Sequence, residues 1–338
     1  MSTDFEISTP ASASPAAVRR IDDVGLDDVA SVGGKGANLG ELTRCGLPVP
    51  AGFVITAESF LAAMDAAGCR AELADGTAAA PTMDDATLAG FAERARSLVR
   101  ASGVPTELVT AMRSAQTDAE RVAVRSSATA EDSSDTSFAG MHASFTNVTD
   151  EQLADRVLDC WVSLYGDRAV AYRAERELTD EPAIAVVVQD MLASDRSGVM
   201  FTADDSGDSS VIEAAFGLGE FVVAGTIEPD SYHVDRSTGR LTEIHLGDKS
   251  SALMSTEAGE EITAVDAARA ASQVLTPVEI VQLSKLGTAI EEHYGRPQDI
   301  EWAFVDDDLY FVQSRPITFR PSRSDRHVLL RGLGVGRG

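Results

Sequence analysis

Lysine is nearly missing from this chain: Lys35, Lys249 and Lys285 are the three in 338 residues, against 25 Arg, 31 Asp and 23 Glu, for a formal net charge of −26. So strong a negative field repels nucleic-acid phosphate and anionic lipid, which excludes both as partners of the chain as a whole. Cysteine is scarce too. Cys45, Cys69 and Cys160 are odd in number, far apart and never in a CxxC pair, which excludes a disulfide framework or a zinc ribbon and fits a reducing, cytoplasmic compartment. No apolar run approaches the roughly 18–20 residues of a membrane span. Met1–Ala17 is rich in Ser, Thr, Ala and Pro and lacks a basic segment followed by an apolar block, so it reads as a disordered tail rather than a secretory signal.

What is present is a globular composition, 44% hydrophobic with 27 Gly, long enough for two lobes around substantial cores. That apolar content is too high for an acidic disordered protein. An Asp-rich, Lys-poor surface suits concentrated salt, where the Debye length shrinks to about 3 Å and self-repulsion is screened. A halophilic protein is therefore expected. A genome that favours Arg over Lys would explain the missing lysines but not the acidic excess.

Strand and helix signals alternate without a regular βαβ rhythm, which predicts an α+β fold. Strands are expected at Val18–Ile21, Val49–Thr56, Val122–Val124, Ile184–Gln189, Gly198–Thr202 and Val211–Ala214, and a hairpin at Ile300–Phe304 and Leu309–Val312 around Asp306–Asp308. Helices are expected at Ala37–Arg44, Ser59–Ala67, over most of 70–120, within Glu151–Arg176 and at Pro277–Tyr294. The predicted division is a first lobe over 18–185, with a helical insertion, a second over 186–320, and an Arg/Ser/Gly-rich linker over 321–338.

Three constellations carry chemistry. Gly33-Gly34-Lys35-Gly36 stands before a helix, where backbone N–H groups and a flexible ammonium can face an anion. It is not a P-loop, since GxxxxGK[ST] is missing, and a plain glycine turn with a surface lysine is the simpler alternative. Second, Arg125 ends an apolar strand and is followed by a loop of hydroxyls and small side chains. Guanidinium is well shaped for bidentate phosphate contact, although such an Arg can also merely satisfy loop carbonyls. Third, Asp299 and Glu301 are two apart on one strand, and Gln313 and Arg315 two apart on the returning strand. Each pair shares a face, and the hairpin brings the pairs together. Carboxylate and amide oxygens suit Mg²⁺; an acidic strand face salt-bridged to Arg315 is the alternative.

Five ordered segments then carry a family resemblance: Val32–Leu42 (VGGKGANLGEL), Val122–Gly140 (VAVRSSATAEDSSDTSFAG), Ser197–Thr202 (SGVMFT), Phe216–Glu220 (FGLGE), and Pro297–Trp302 with Val312–Thr318 (PQDIEW, VQSRPIT). From about Val18 to Thr318 the chain resembles the N-terminal ATP-binding domain of phosphoenolpyruvate synthase (pyruvate, water dikinase), a domain shared with pyruvate phosphate dikinase and rifampicin phosphotransferase. The resemblance implies an ATP-grasp-like fold, with nucleotide in a cleft between two lobes. It implies that Lys35, Arg125 and Arg315 are the catalytic cations, Lys35 and Arg125 holding the ATP phosphates. Glu301 and Gln313 would bind Mg²⁺, with Asp299 and Arg315 completing the phosphate end. Gln189 and Met191 would meet adenine, and Thr129, Glu213 and Gly217–Glu220 would border the nucleotide. Lys249 aligns with a basic position of the family.

The family passes a phosphoryl group from ATP to a histidine on a swivelling domain and then to pyruvate. Its Thr-Cys-His-Ala-Ala-type segment does not occur here. The resemblance thus implies a kinase module that acts with a phosphohistidine domain or protein, in trans or further along a native chain. The alternatives are the equivalent module of a rifampicin-phosphotransferase-like enzyme, or a nucleotide-binding regulatory module that turns nothing over.

Overall fold

The computed structural model describes residues 16–129, 143–223, 225–256 and 259–317. Nearly all of the expected tail, the polar loop beyond Thr129 and the expected linker lie outside them. Helices and antiparallel sheets mix in an α+β architecture, as the irregular strand–helix rhythm predicts.

A five-stranded sheet is built from β1 (Val18–Arg20), β2 (Gly52–Ile55), β3 (Val122–Ala128), β4 (Ser144–Val148) and β5 (Ile184–Asp190), in the spatial order β1-β2-β5-β3-β4. Its inner strand β5 is continuously apolar from Ile184 to Val188 because helices cover both faces there. On one face Phe53, Ile55, Val122, Val124, Ile184, Val186 and Val188 share a core with Phe60, Met64, Ala95, Val99, Val157 and Trp161. Those last residues come from α2 (Ala57–Ala66), α4 (Asp85–Ser102) and α6 (Asp150–Ser163), while α3 (Arg70–Ala79), α5 (Thr106–Ala115) and α7 (Asp167–Glu175) complete the helical layer. On the other face Val54, Ala185 and Val187 pack on Val32, Ala37 and Leu39 of α1 (Val29–Arg44). The division expected at 185/186 falls inside β5, whose residues 186–190 pair with β2 and β3.

A six-stranded sheet runs β13-β12-β6-β7-β8-β9, from β6 (Arg196–Phe201), β7 (Ser209–Phe216), β8 (Asp230–Asp235), β9 (Leu241–His245), β12 (Gln298–Val305) and β13 (Asp308–Pro316). β10 (Ser251–Thr256) and β11 (Gly259–Ala264) form a separate hairpin. This sheet is two-faced. Ile300, Trp302, Phe304, Met200, Ile212 and Tyr232 point into a core closed by Ile280, Leu283 and Ile290 of α10 (Pro277–Tyr294). α10 begins where Thr276 and Glu279 make reciprocal cap bonds ahead of Pro277, and it ends at the left-handed Gly295 (φ 67°), as the cap rules require. On β12 the opposite face takes the alternate residues Asp299 and Glu301. Two short helices, α8 (Glu220–Val223) and α9 (Ala267–Ala270), complete the chain.

The sheets meet through α1. Its Leu42 enters the core of the second sheet, and Phe311 N–H donates to the Pro48 carbonyl (2.8 Å) just beyond it.

Candidate active site

α1 is one helix in outline but is interrupted at Gly33, whose φ of 68° and ψ of 173° are not helical. A side chain there would be strained, and a Cβ would lie 2.2 Å from the Ser127 carbonyl oxygen. The glycine is needed because β3 approaches that closely. Ser127 locks the break from below: its hydroxyl donates to the Val32 carbonyl (2.8 Å) and accepts from Gly36 N–H (3.2 Å). Lys35 therefore stands on a fixed turn at the start of a helical segment, half-buried, and one of the N–H groups expected to face an anion is already used. Burial pushes the Cys160 thiol up to about 12, Asp159 adding to the rise and the nearby Lys35 ammonium opposing it.

Arg125 lies two residues before Ser127, hence on the same face of the first sheet. It is a half-buried cation, the one charged side chain of β3. Its Nη1 crosses to the second sheet, donating to the Val312 carbonyl (3.2 Å) and standing 3.9 Å from Glu301 Oε2. Val312 is available because β13 slips register there: Glu301 opposes Gln313, but Trp302 opposes Phe311. That bulge leaves Val312 without a ladder partner and turns Phe311 into the core while Gln313 faces the site.

Across the ladder Glu301 is paired with Gln313 and Asp299 with Arg315, the juxtaposition expected from the sequence. Arg315 Nε and Nη2 both donate to Asp299 Oδ2 (2.9 and 2.8 Å). Burial pushes the Asp299 carboxyl above its ordinary range, against the pull of Arg315. The row continues through Val199 to Glu213 and Ser231, so Glu213 shares this face. Glu220, at the start of α8, is also raised by burial, with Arg125 opposing and Glu260 and Glu301 adding to the rise. One seam thus holds Arg125 and Arg315 among Asp299, Glu301 and Glu220.

Gln189 and Met191 sit at the end of β5. The buried Gln189 amide donates to the Pro50 carbonyl (3.3 Å), and Met191 packs with Leu218, Phe221 and Leu253. Gly198, in the SGVMFT segment, is required by crowding, since a Cβ would lie 1.8 Å from the Glu213 carbonyl oxygen. Two expected residues are engaged elsewhere. The Thr129 hydroxyl donates to the Ala183 carbonyl (3.2 Å) at the far end of β3, where it lines a cavity of about 250 Å³ with Arg173. Lys249 is buried against Asp230, whose carboxylate also accepts from Gly247 N–H, Val274 N–H and the Tyr232 hydroxyl. That lysine is a structural counter-ion. Sequence reasoning missed Ser127 and the bulge at Val312. The signal for the bulge is that Phe311 and Gln313, two apart, differ so sharply in polarity.

Residues 29–330 match the family described as the pyruvate phosphate dikinase AMP/ATP-binding domain, and the chain belongs to that family. It is 38% identical over 336 residues to a probable phosphoenolpyruvate synthase of Methanothermobacter thermautotrophicus, covering 94% of this chain and 49% of that protein. The phosphoenolpyruvate synthase of Pyrococcus furiosus is 34% identical over 384 residues (95% and 47%), and a Streptomyces rifampicin phosphotransferase 39% over 328 (94% and 38%). The chain spans about half the length of these two phosphoenolpyruvate synthases. No helix among the described residues is long and apolar enough to cross a membrane.

Proposed function

We propose that this chain is the ATP-binding, phosphoryl-donating module of a phosphoenolpyruvate-synthase-like enzyme, ATP-grasp-like in holding nucleotide between the two sheets. The observation that carries this reading is the reach of Arg125 from the first sheet to Glu301 and Val312 on the second. A cation from one sheet and oxygen donors from the other face a single seam, beside the fixed turn that bears Lys35. Phosphoryl transfer depends on positioning and charge neutralisation more than on covalent chemistry by the protein, and these side chains supply both.

In this reading Lys35 and Arg125 hold the phosphates. Asp299 keeps the Arg315 guanidinium aimed along the same strand face. Gln189 and Met191 border adenine, and Glu213 and Glu220 close the acidic side. Thr129 is left out, because its hydroxyl is committed to Ala183. Glu301 and Gln313 fit a hard cation: they are opposed across one ladder position and offer a carboxylate and an amide oxygen. The surrounding carboxylates would repel a triphosphate unless a cation stood between. These two residues would hold Mg²⁺, which when bound neutralises phosphate charge.

The phosphoryl acceptor is a histidine on a separate domain, and the final product is phosphoenolpyruvate from pyruvate. Labelled ATP mixed with the chain and a separately expressed phosphohistidine domain tests this: label on histidine supports it, while tight binding without transfer favours a regulatory module. A comparable identity to a rifampicin phosphotransferase makes that antibiotic the second acceptor to try with the histidine domain. The acidic, Lys-poor composition fits a cytoplasm of high salt. Fold and ATP binding should then survive molar KCl and weaken in dilute buffer; equal stability in both would point to genome composition.

A further inference from the structure

Away from the seam, the C-terminal end of α1 meets the C-terminal end of α10, and three different donor types converge there. Cys45, the residue that caps α1, stands one turn after Glu41, its N–H donating to the Glu41 carbonyl (3.0 Å). His293 reaches them from the last turn of α10, with its Nε2 2.7 Å from Glu41 Oε1. One carboxylate oxygen, the Cys45 sulfur and one His293 nitrogen all lie within 4.8 Å of one another. We propose that Glu41, Cys45 and His293 form a site for a thiophilic divalent cation, Zn²⁺ or its Co²⁺ surrogate, that ties α1 to α10.

The donor set argues for this class of ion. Thiolate and imidazole select borderline-soft metals rather than Mg²⁺ or Ca²⁺. Sulfur, nitrogen and oxygen ligands at about 2.3, 2.0 and 2.1 Å, with water in the fourth position, complete a tetrahedral zinc sphere. To bind, the Cys45 sulfur draws in while the Glu41 and His293 ligand atoms, now 2.7 Å apart, part slightly, and the exposed Cys45 and His293 side chains have room to do so.

The frame beneath them is rigid. Leu42, next to Glu41, is buried in the core of the second sheet. Tyr294, next to His293, stacks edge-on to the imidazole (5.3 Å) and donates to the Asn38 carbonyl on α1 (3.4 Å). The second Glu41 oxygen accepts from Leu26 N–H (3.5 Å), which fixes the carboxylate, the kind of outer contact that orients metal ligands. Binding releases the Cys45 thiol proton to solvent, and the metal takes its place on sulfur. The consequence is mechanical: the helix that carries the Lys35 turn is stapled to the helix that covers the second sheet. A bare Glu41–His293 ion pair would account for the 2.7 Å contact but gives the thiol no role.

The test is an anaerobic Co²⁺ titration of the whole chain, read by the sulfur-to-cobalt charge-transfer band in the near ultraviolet, with Zn²⁺ added afterwards as competitor. Cys69 and Cys160 are buried, and carboxylates at the seam cannot produce a thiolate band. The expected result is a band that saturates at one equivalent, disappears in Cys45→Ser and is bleached by Zn²⁺. Loss of an outer-shell partner alone weakens metal binding by roughly 10–100-fold, so His293→Ala should weaken it at least as much. Both substitutions are at exposed positions, so unliganded melting midpoints should match the unsubstituted chain and show that each variant folds. No band in the unsubstituted chain, or a full-strength band in either variant, would overturn the proposal.

Discussion

The two sheets bury their strands in different ways, and the site follows from the difference. The five-stranded sheet is covered on both faces, so β5 carries Ile184, Ala185, Val186, Val187 and Val188 in succession, all with no exposed surface. In such a sheet a charge must leave, and Arg125 leaves by crossing to the other sheet. In the six-stranded sheet, β12 instead alternates buried and half-buried residues over 298–302. On β12, Ile300, Trp302 and Phe304 fill the core while Asp299 and Glu301 face the seam. The first sheet aims Arg125 at the seam; β12 sets polar side chains there on an apolar back.

The sharpest way to break this comparison is to change neighbours on β12. Trp302→Ala removes a fully buried indole and should cost about 3–5 kcal/mol of stability, measured by denaturant unfolding. Glu301→Gln, one residue away on the other face, should leave the unfolding midpoint nearly unchanged. Arg125→Ala comes next: charged hydrogen bonds are worth about 1.5–3 kcal/mol, so ATP affinity should fall roughly 10–100-fold by calorimetry, with the fold intact. If Arg125→Ala and Lys35→Ala both bind nucleotide like the unsubstituted chain, the phosphate end has been misplaced. Gly33→Ala should destabilise by about 1–3 kcal/mol, the usual scale of backbone strain, because it needs a φ of 68° and collides with Ser127. The smallest effect lies far from the seam. Asp235 accepts from the Thr238 and Ser237 hydroxyls and from Thr238 N–H, which lowers its carboxyl from 3.8 to about 2. A lowered folded-state value adds stability that is present above the ordinary value and lost as pH falls through the folded one. Asp235→Asn should therefore lower stability at neutral pH by a small amount, a loss that fades as pH falls from about 4 to about 2, so that the acid side of the profile flattens.

Much of this was legible in the sequence, and the reasons are local. α10 was readable at both ends because Thr276-Pro277 and Gly295 are strong start and stop signals. The β12–β13 hairpin was readable because two pairs of polar residues interrupt apolar strands at a spacing of two. β8 to β11 went unread, and β9 shows why: Leu241–His245 is exposed along its whole length, so no burial pattern marks it. The interruption of α1 at Gly33 depends on Ser127, a contact across 94 positions that no local signal encodes. Lys249 entered only through the family resemblance; its buried pairing with Asp230, 19 positions away, has no local signal.

The central claim is that Glu301 is a metal-dependent nucleotide ligand rather than the partner of a structural ion pair. Glutamine at this position keeps size and hydrogen bonding but removes the charge that holds a cation. Calorimetry of ATP binding to Glu301→Gln across a Mg²⁺ series decides between the two roles. The account predicts weaker Mg²⁺-dependent affinity with a higher Mg²⁺ requirement and an unchanged fold. Unaltered Mg²⁺ dependence, with any effect confined to stability, would contradict it.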